Sequence, residues 1–313
     1  MPCIICQRQE GKLHPARRRI DLVAFPVSRT KVIIPKRRKD LFKRQRLLVA
    51  LDEILDHKLF IVAAPAGYGK SALLTDFAHQ STIPVCWYSL DLLDQDPQRF
   101  IAHFIAALVE QFPTLELPSE TFLESGFSSI IDQSKLVSPL INEIYTRIDD
   151  HFILVLDDFH LVNDQPEIGA FVNLFLREVD DHCHMVISSR VLIKIPDLAL
   201  MVARSELSGM SAKELAFTPD ELQFLVMQNY QTKLPVSVAE ELVAETEGWI
   251  TGLLLSTDTM WKGMVDRLRI ARVSGVDLYE YFAQQVLDQQ SAEDRHFLLR
   301  TSYMDEFLSL IHI

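Results

Sequence analysis

The chain has 313 residues, 48% of them hydrophobic, and a formal net charge of −12. That length and apolar content suffice for a large core and two or three domains, which excludes a disordered chain. The acidic balance, with a sequence pI near 5.3, excludes a protein whose whole surface binds polyanions.

The charge is unevenly placed. Residues 1–46 hold 14 of the 31 Lys and Arg and three acids, Glu10, Asp21 and Asp40. This reads as a solvated basic arm on an acidic body, with polyanion binding as the sharper alternative. Cys3 and Cys6 have the spacing of half a zinc site, but no second ligand pair lies at a usual distance. The first residues lack the apolar core of a signal peptide, and no run approaches the roughly 18 apolar residues of a membrane span. The expectation is a cytoplasmic protein without membrane contact. Cys86 and Cys183 sit in apolar surroundings and read as inert core thiols.

Short apolar runs at residues 60–63, 85–89, 152–156 and 185–188 alternate with helical patterns. Parallel strands need crossovers, so this alternation predicts an α/β fold built on a parallel sheet. The run at 60–63 leads into Ala64-Pro65-Ala66-Gly67-Tyr68-Gly69-Lys70-Ser71, a P-loop pattern with Ala64 in place of its first glycine. Gly67 and Gly69 let the backbone curl so that successive N–H groups point inward as an anion nest, and the following helix adds its own unpaired N–H groups. Lys70 is expected on the β and γ phosphates and Ser71 on Mg²⁺.

Farther along, Trp87 and Tyr88 read as core. Phe100, Ile101, Phe104, Ile105, Leu108, Val109 and Phe112 form a helical stripe that should pack on the sheet. His103 lies off the stripe and is expected in solvent. The apolar strand in residues 152–160 ends in Asp157 and Asp158, the Walker B arrangement. Asp157 is expected to hold Mg²⁺, directly or through water, and Asp158 to orient or deprotonate the attacking water. The next strand ends Ser188-Ser189-Arg190. Arg190 is either a γ-phosphate sensor or a surface arginine at a strand end.

After residue 203 the strand signal stops. Thr218-Pro219-Asp220-Glu221 is a helix start, with a capping hydroxyl, proline at the first helical position and acids in the first turn. Helices are expected to follow over 236–245 and from Gly248-Trp249, with further helical patterns to the end. The final apolar "LSLIHI" reads as a stop inside a third module.

The ordered set "TKVIIPKRRKDLFKRQRLLVAL", "APAGYGKS", "WYSLDLLDQDPQRF", "LVLDDFH", "ISSR", "LAFTPDEL", "EGWITGLLLS" and "FLLRTSYM" resembles MalT-like, LuxR-family ATP-dependent transcriptional regulators of the STAND class. The resemblance spans residues 30–304. After a basic N-terminal extension over 1–29, it implies a P-loop nucleotide-binding domain over 30–205, a small all-helical domain over 206–275 and the start of a winged-helix-like module over 276–313. The extension and the terminal "LSLIHI" depart from the family pattern. By the same resemblance Arg44 lies near the adenine, with residues 32–35 beside the base, and Gly248 and Trp249 pack against the nucleotide domain; Trp249 alone reads equally as a core tryptophan.

The implied nucleotide-binding set is Arg44, Pro65, Ala66, Gly67, Tyr68, Gly69, Lys70, Ser71 and Ala72, with Ser71 and Asp157 on the metal and Asp158, Lys70 and Arg190 acting on the phosphates. The resemblance implies a slow ATPase switch, closed with ADP and open and self-associating with ATP, whose inducer and DNA contacts belong to other modules. An AAA+-type remodelling or motor ATPase is the alternative, and a binding module without hydrolysis a third reading that Asp158 argues against. No helix-turn-helix is identifiable, so sequence-specific DNA binding is not expected of these residues alone.

Overall fold

The computed structural model describes residues 27–38, 41–116, 130–251, 253 and 292–301. The chain divides into two compact units: Met1–Ala63 with Lys70–Ser211, and Ala64–Gly69 with Ala212–Ile313.

The first unit holds a five-stranded sheet of β1 (Leu59–Ala63), β2 (Val85–Ser89), β3 (Phe152–Asp157), β4 (Cys183–Ser189) and β5 (Leu207–Met210) in the order β2-β3-β4-β1-β5. Every pairing is parallel. The helices are α1 (Gln45–Ala50), α2 (Lys70–Gln80), α3 (Pro97–Gln111), α4 (Ile130–Arg147), α5 (Pro166–Glu178) and α6 (Leu198–Ala203). All residues of β3 and β4 are buried, as central strands of a parallel sheet must be when both faces are covered. Phe152, Leu154 and Leu156 of β3 face a core shared with α3, α4 and α5, while Ile153 and Val155 are buried on the opposite face.

The crossover helix α3 starts where the sequence says it should. Asp96 caps it by accepting from the Arg99 N–H at 3.0 Å, and Pro97 occupies the first position. Phe100, Phe104 and Leu108 then fall on one face and reach full burial. Phe104 meets Phe171 and Phe175 of α5 edge-on, at ring centroid distances of 5.2 and 5.0 Å, the geometry that aromatic quadrupoles favour.

His103 departs from the expectation of a solvated residue: it is fully buried. The backbone N–H of Ser28 donates to its Nε2 at 3.1 Å, and its ring stacks on Tyr88. Because an N–H can only donate, Nε2 must be the bare nitrogen, and Nδ1 carries the proton toward the Arg99 carbonyl at 2.9 Å. Burial holds its pKa below the ordinary histidine value, which keeps the ring neutral.

The same region is tied by charge. Asp94 is fully buried and accepts from Lys31 and, at 3.0 Å, from Arg99 Nε. Lys31 also reaches Asp91 at 3.0 Å, and Asp91 and Asp94 close a reciprocal capping box. Removing the carboxylate would take a buried counter-charge from two largely buried cations and leave Lys31 only the half-exposed Asp91. Asp94→Ala is therefore expected to destabilise the first unit by about 3 kcal/mol, read as a lower urea midpoint at unchanged slope.

A second departure is β5. Its Leu-Ser-Gly-Met has little apolar signature, yet it pairs with β1 from Leu207 opposite Leu59. Cys86 and Cys183 are free and buried, and burial pushes both thiols above their ordinary pKa.

The second unit contains α7 (Ala212–Leu215), α8 (Pro219–Tyr230), α9 (Val236–Thr246) and α10 (Ala292–Thr301). Thr218 and Glu221 form the capping box of α8, each side chain accepting from the other's backbone N–H at 3.2 Å. Leu222, Leu225 and Val226 are buried, and α8 packs on α9. The expected winged-helix-like start falls outside the described residues except for α10, and so do Cys3 and Cys6. Among the described residues no helix is long and apolar enough to cross a membrane.

Candidate functional site

In the first unit, the carboxyl ends of β3 and β4 and the amino end of α2 bring five sequence-selected side chains into one charged cluster. Lys70 is the first residue of α2 and Ser71 the second. Ser71 Oγ donates to Asp157 Oδ1 at 3.0 Å, across the sheet order β3-β4-β1. A hydroxyl and a buried carboxylate at that separation could together hold a magnesium ion whose octahedron phosphate and water complete. Among the described residues no group of three or more His, Cys, Asp or Glu could cage a metal.

The two aspartates differ in environment. Asp157 is 5% exposed. Its pKa is raised to about 6, first by burial and then by the Asp158 charge, with Ser188, Ser71 and Lys70 pulling the other way. Asp158 sits just past the end of β3 in a left-handed conformation, φ 62° and ψ 40°, and its side chain is 36% exposed. A left-handed residue turns the chain sharply, so the carboxylate leaves the strand direction and opens to water. The arrangement thus separates a buried acid suited to a metal from an open acid suited to a water molecule.

Burial lowers the Lys70 pKa to about 8, with Asp158 and Asp157 opposing the shift and the charge of Arg190 adding to it. Arg190 follows directly on β4, and its charge acts on both Lys70 and His160. Ala72 continues α2, and Arg44, 7% exposed, immediately precedes α1.

Residues Ala64–Gly69 belong with the helical unit. Gly67 and Gly69 have φ of 83° and 79°, the region where a side chain strains the backbone. A Cβ on Gly67 would also lie 2.4 Å from Thr251 Oγ1, whereas one on Gly69 would meet nothing within 4 Å. Open space beside a left-handed glycine is what a phosphate cradle needs. Trp249 Nε1 donates to the Ala66 carbonyl at 2.9 Å and Thr251 Oγ1 to the Gly67 carbonyl at 3.0 Å. Trp249, half-buried, therefore has a polar anchor on the loop. Pro65 and Tyr68 complete the loop.

Two members of the cluster escape motif reading. Ser188 is fully buried, and its hydroxyl touches both aspartates. The His160 side chain is 9% exposed, and its Nδ1 lies 3.7 Å from Asp158 Oδ1 without a hydrogen bond. Burial lowers the His160 pKa to about 4, against the pull of Asp158. Ser188 lies inside the stretch "ISSR", but a serine in a strand carries no signal until its neighbour strand is known.

The transcriptional regulators named MalT give the decisive comparison. The HTH-type transcriptional regulator MalT of Yersinia pestis (strain Pestoides F) is 31% identical over 280 residues, covering 88% of this chain and 30% of that protein. The chain is a MalT-like family member. The MalT of Yersinia enterocolitica serotype O:8 is 30% identical over 279 residues with the same coverage. The MalT-like chain thus spans about 30% of the length of the curated relatives it matches. No protein-family model matches it. Among solved structures, a Walker-type ATPase of Pyrococcus abyssi aligns at 15% identity and TM-score 0.43, covering 80% of this chain and 79% of that one. The Aeropyrum pernix ORC1 protein in complex with DNA aligns at 16% identity and TM-score 0.42, covering 87% and 73%.

Proposed function

We propose that this MalT-like chain is the nucleotide-binding switch of a transcriptional regulator, binding ATP or ADP with Mg²⁺ and hydrolysing ATP slowly. The observation that carries this reading is the hydrogen bond from Ser71 to Asp157, with Lys70 at the head of α2 and Asp158 and Arg190 in the same charged cluster.

The amino end of α2 offers N–H groups and Lys70 a positive charge to the phosphates, and Gly67 and Gly69 are assigned to the phosphates by their place in the P-loop pattern. Ser71 and Asp157 would hold Mg²⁺, which when bound would neutralise charge on the phosphate oxygens. Asp158 orients the attacking water. Arg44 and residues 32–35 are assigned to the base, on the strength of the family resemblance. Hydrolysis in such a device resets a state, so the quantity that matters is the difference in nucleotide affinity between an ADP-closed and an ATP-open form. Self-association belongs to the ATP form, and inducer and DNA recognition are assigned outside these residues. Cytoplasmic residence fits a regulator of transcription.

The reading is tested by the nucleotide that co-purifies with the chain and by calorimetric titration with ATP and ADP, with and without Mg²⁺. Tightly retained ADP is expected; a chain that binds neither nucleotide would end the proposal. Arg190 separates the two ligands. Arg190→Ala is expected to leave ADP affinity within about twofold and to weaken ATP by about tenfold or more, the loss of one arginine–phosphate contact. Equal losses for both nucleotides would give Arg190 a general structural role instead.

A further inference from the structure

Ser188 has no place in the motif chemistry above, yet its side chain is completely buried in β4 beside both Walker B aspartates. Its oxygen accepts from the Asp158 backbone N–H at 2.9 Å. Its own proton goes to Asp157 Oδ1 at 2.5 Å. Since Ser71 also donates to Asp157 Oδ1, one carboxylate oxygen is held by hydroxyls from two different elements. β3 ends at Asp157, so the next N–H lies beyond the regular ladder of the sheet. A backbone donor that has left the ladder needs another partner, and Ser188 supplies it at the point where Asp158 turns into the left-handed region.

We propose that Ser188 is a positioning residue for ATP hydrolysis: a single hydroxyl fixes the orientation of the metal-side carboxylate of Asp157 and the backbone from which the water-side carboxylate of Asp158 projects. It acts through the two aspartates and touches no nucleotide. Displacement of a catalytic carboxylate by even an ångström costs rate far more than ground-state binding. Loss of the hydroxyl should therefore lower kcat at nearly constant KM.

This inference rests on the ATPase reading, and the wild-type 313-residue chain separates the two. Ser188→Ala removes the hydroxyl, while Ser188→Thr and Ser188→Val have the same shape and differ only in having or lacking it. Steady-state hydrolysis, Mg²⁺ titrations of ATP affinity and thermal unfolding are measured for all four proteins. The expected result is a kcat at least about tenfold below wild type for Ala and Val, with KM within about twofold, and recovery to within about threefold for Thr. An Ala variant at the wild-type rate, or Thr and Val variants of equal rate, would overturn the positioning role and leave the ATPase reading standing. Should the extra methyl unfold both Thr and Val, the Ala variant decides alone. Should the wild type bind Mg-ATP without turning it over, hydrolysis falls as a function. The hydroxyl is then judged by magnesium: Ala should need at least about fivefold more Mg²⁺ for half-maximal ATP affinity, and an unchanged requirement overturns the proposal. A wild type that binds no nucleotide defeats both.

Discussion

Lys70→Ala is expected to weaken ATP and ADP binding by at least about a hundredfold. The substitution removes the one side-chain cation at the head of α2, and a charge-assisted contact to phosphate, made partly out of water, contributes roughly 1.5–3 kcal/mol apiece. Lys70 can serve more than one phosphate oxygen, which places the expected loss at the top of that range or above it. Alanine is a good helix former, so α2 itself should survive. A pH series adds an independent check. Burial holds the Lys70 pKa at about 8 in the free protein, and bound phosphate favours the protonated form. The Lys70 contribution to nucleotide affinity should then be flat below that value and be lost as pH rises through it, a dependence that Lys70→Ala removes. Calorimetric affinities equal to wild type would remove Lys70 from the binding site.

Asp158→Asn is expected to lower the hydrolysis rate by about 10²-fold or more while keeping Mg-ATP bound. An amide cannot take the proton or hold the water as a carboxylate does, and a general base contributes roughly 10²–10⁴-fold. The backbone argument makes the substitution clean. Asp158 is left-handed at φ 62°, a conformation asparagine tolerates as readily as aspartate. The N–H bonded to Ser188 is also retained. Single-turnover hydrolysis beside an equilibrium binding measurement checks both halves. Wild-type turnover in the variant would take the water-orienting role away from Asp158 and turn attention to His160, whose ring stands 3.7 Å from it.

The chemistry-bearing stretches are legible because their signals are local. Apolar runs of strand length mark β1 to β4, the glycines at 67 and 69 require left-handed backbone, and the cap at Thr218 lies three residues from its partner Glu221. Each is a property of neighbours in the chain, and periodicity reads neighbours well. His103 shows where that reading stops. Its position off the apolar stripe of α3 predicts solvent, but the Ser28 N–H and the Tyr88 ring come from distant segments and make a polar ring welcome in the core. β5 escapes for the related reason that its pairing with β1 stabilises a strand whose own side chains carry little apolar content.

The order of the strands is likewise beyond local pattern. Sequence determined that Asp157, Asp158 and Arg190 stand at strand ends and that Lys70 and Ser71 open a helix. Only the tertiary arrangement, with β4 between β3 and β1, decided that Ser71 reaches Asp157 and that Ser188 touches both aspartates. A hydrogen bond between residues 31 positions apart depends on which strands lie side by side, and that choice is made by the packing of whole faces, which no stretch of residues encodes alone.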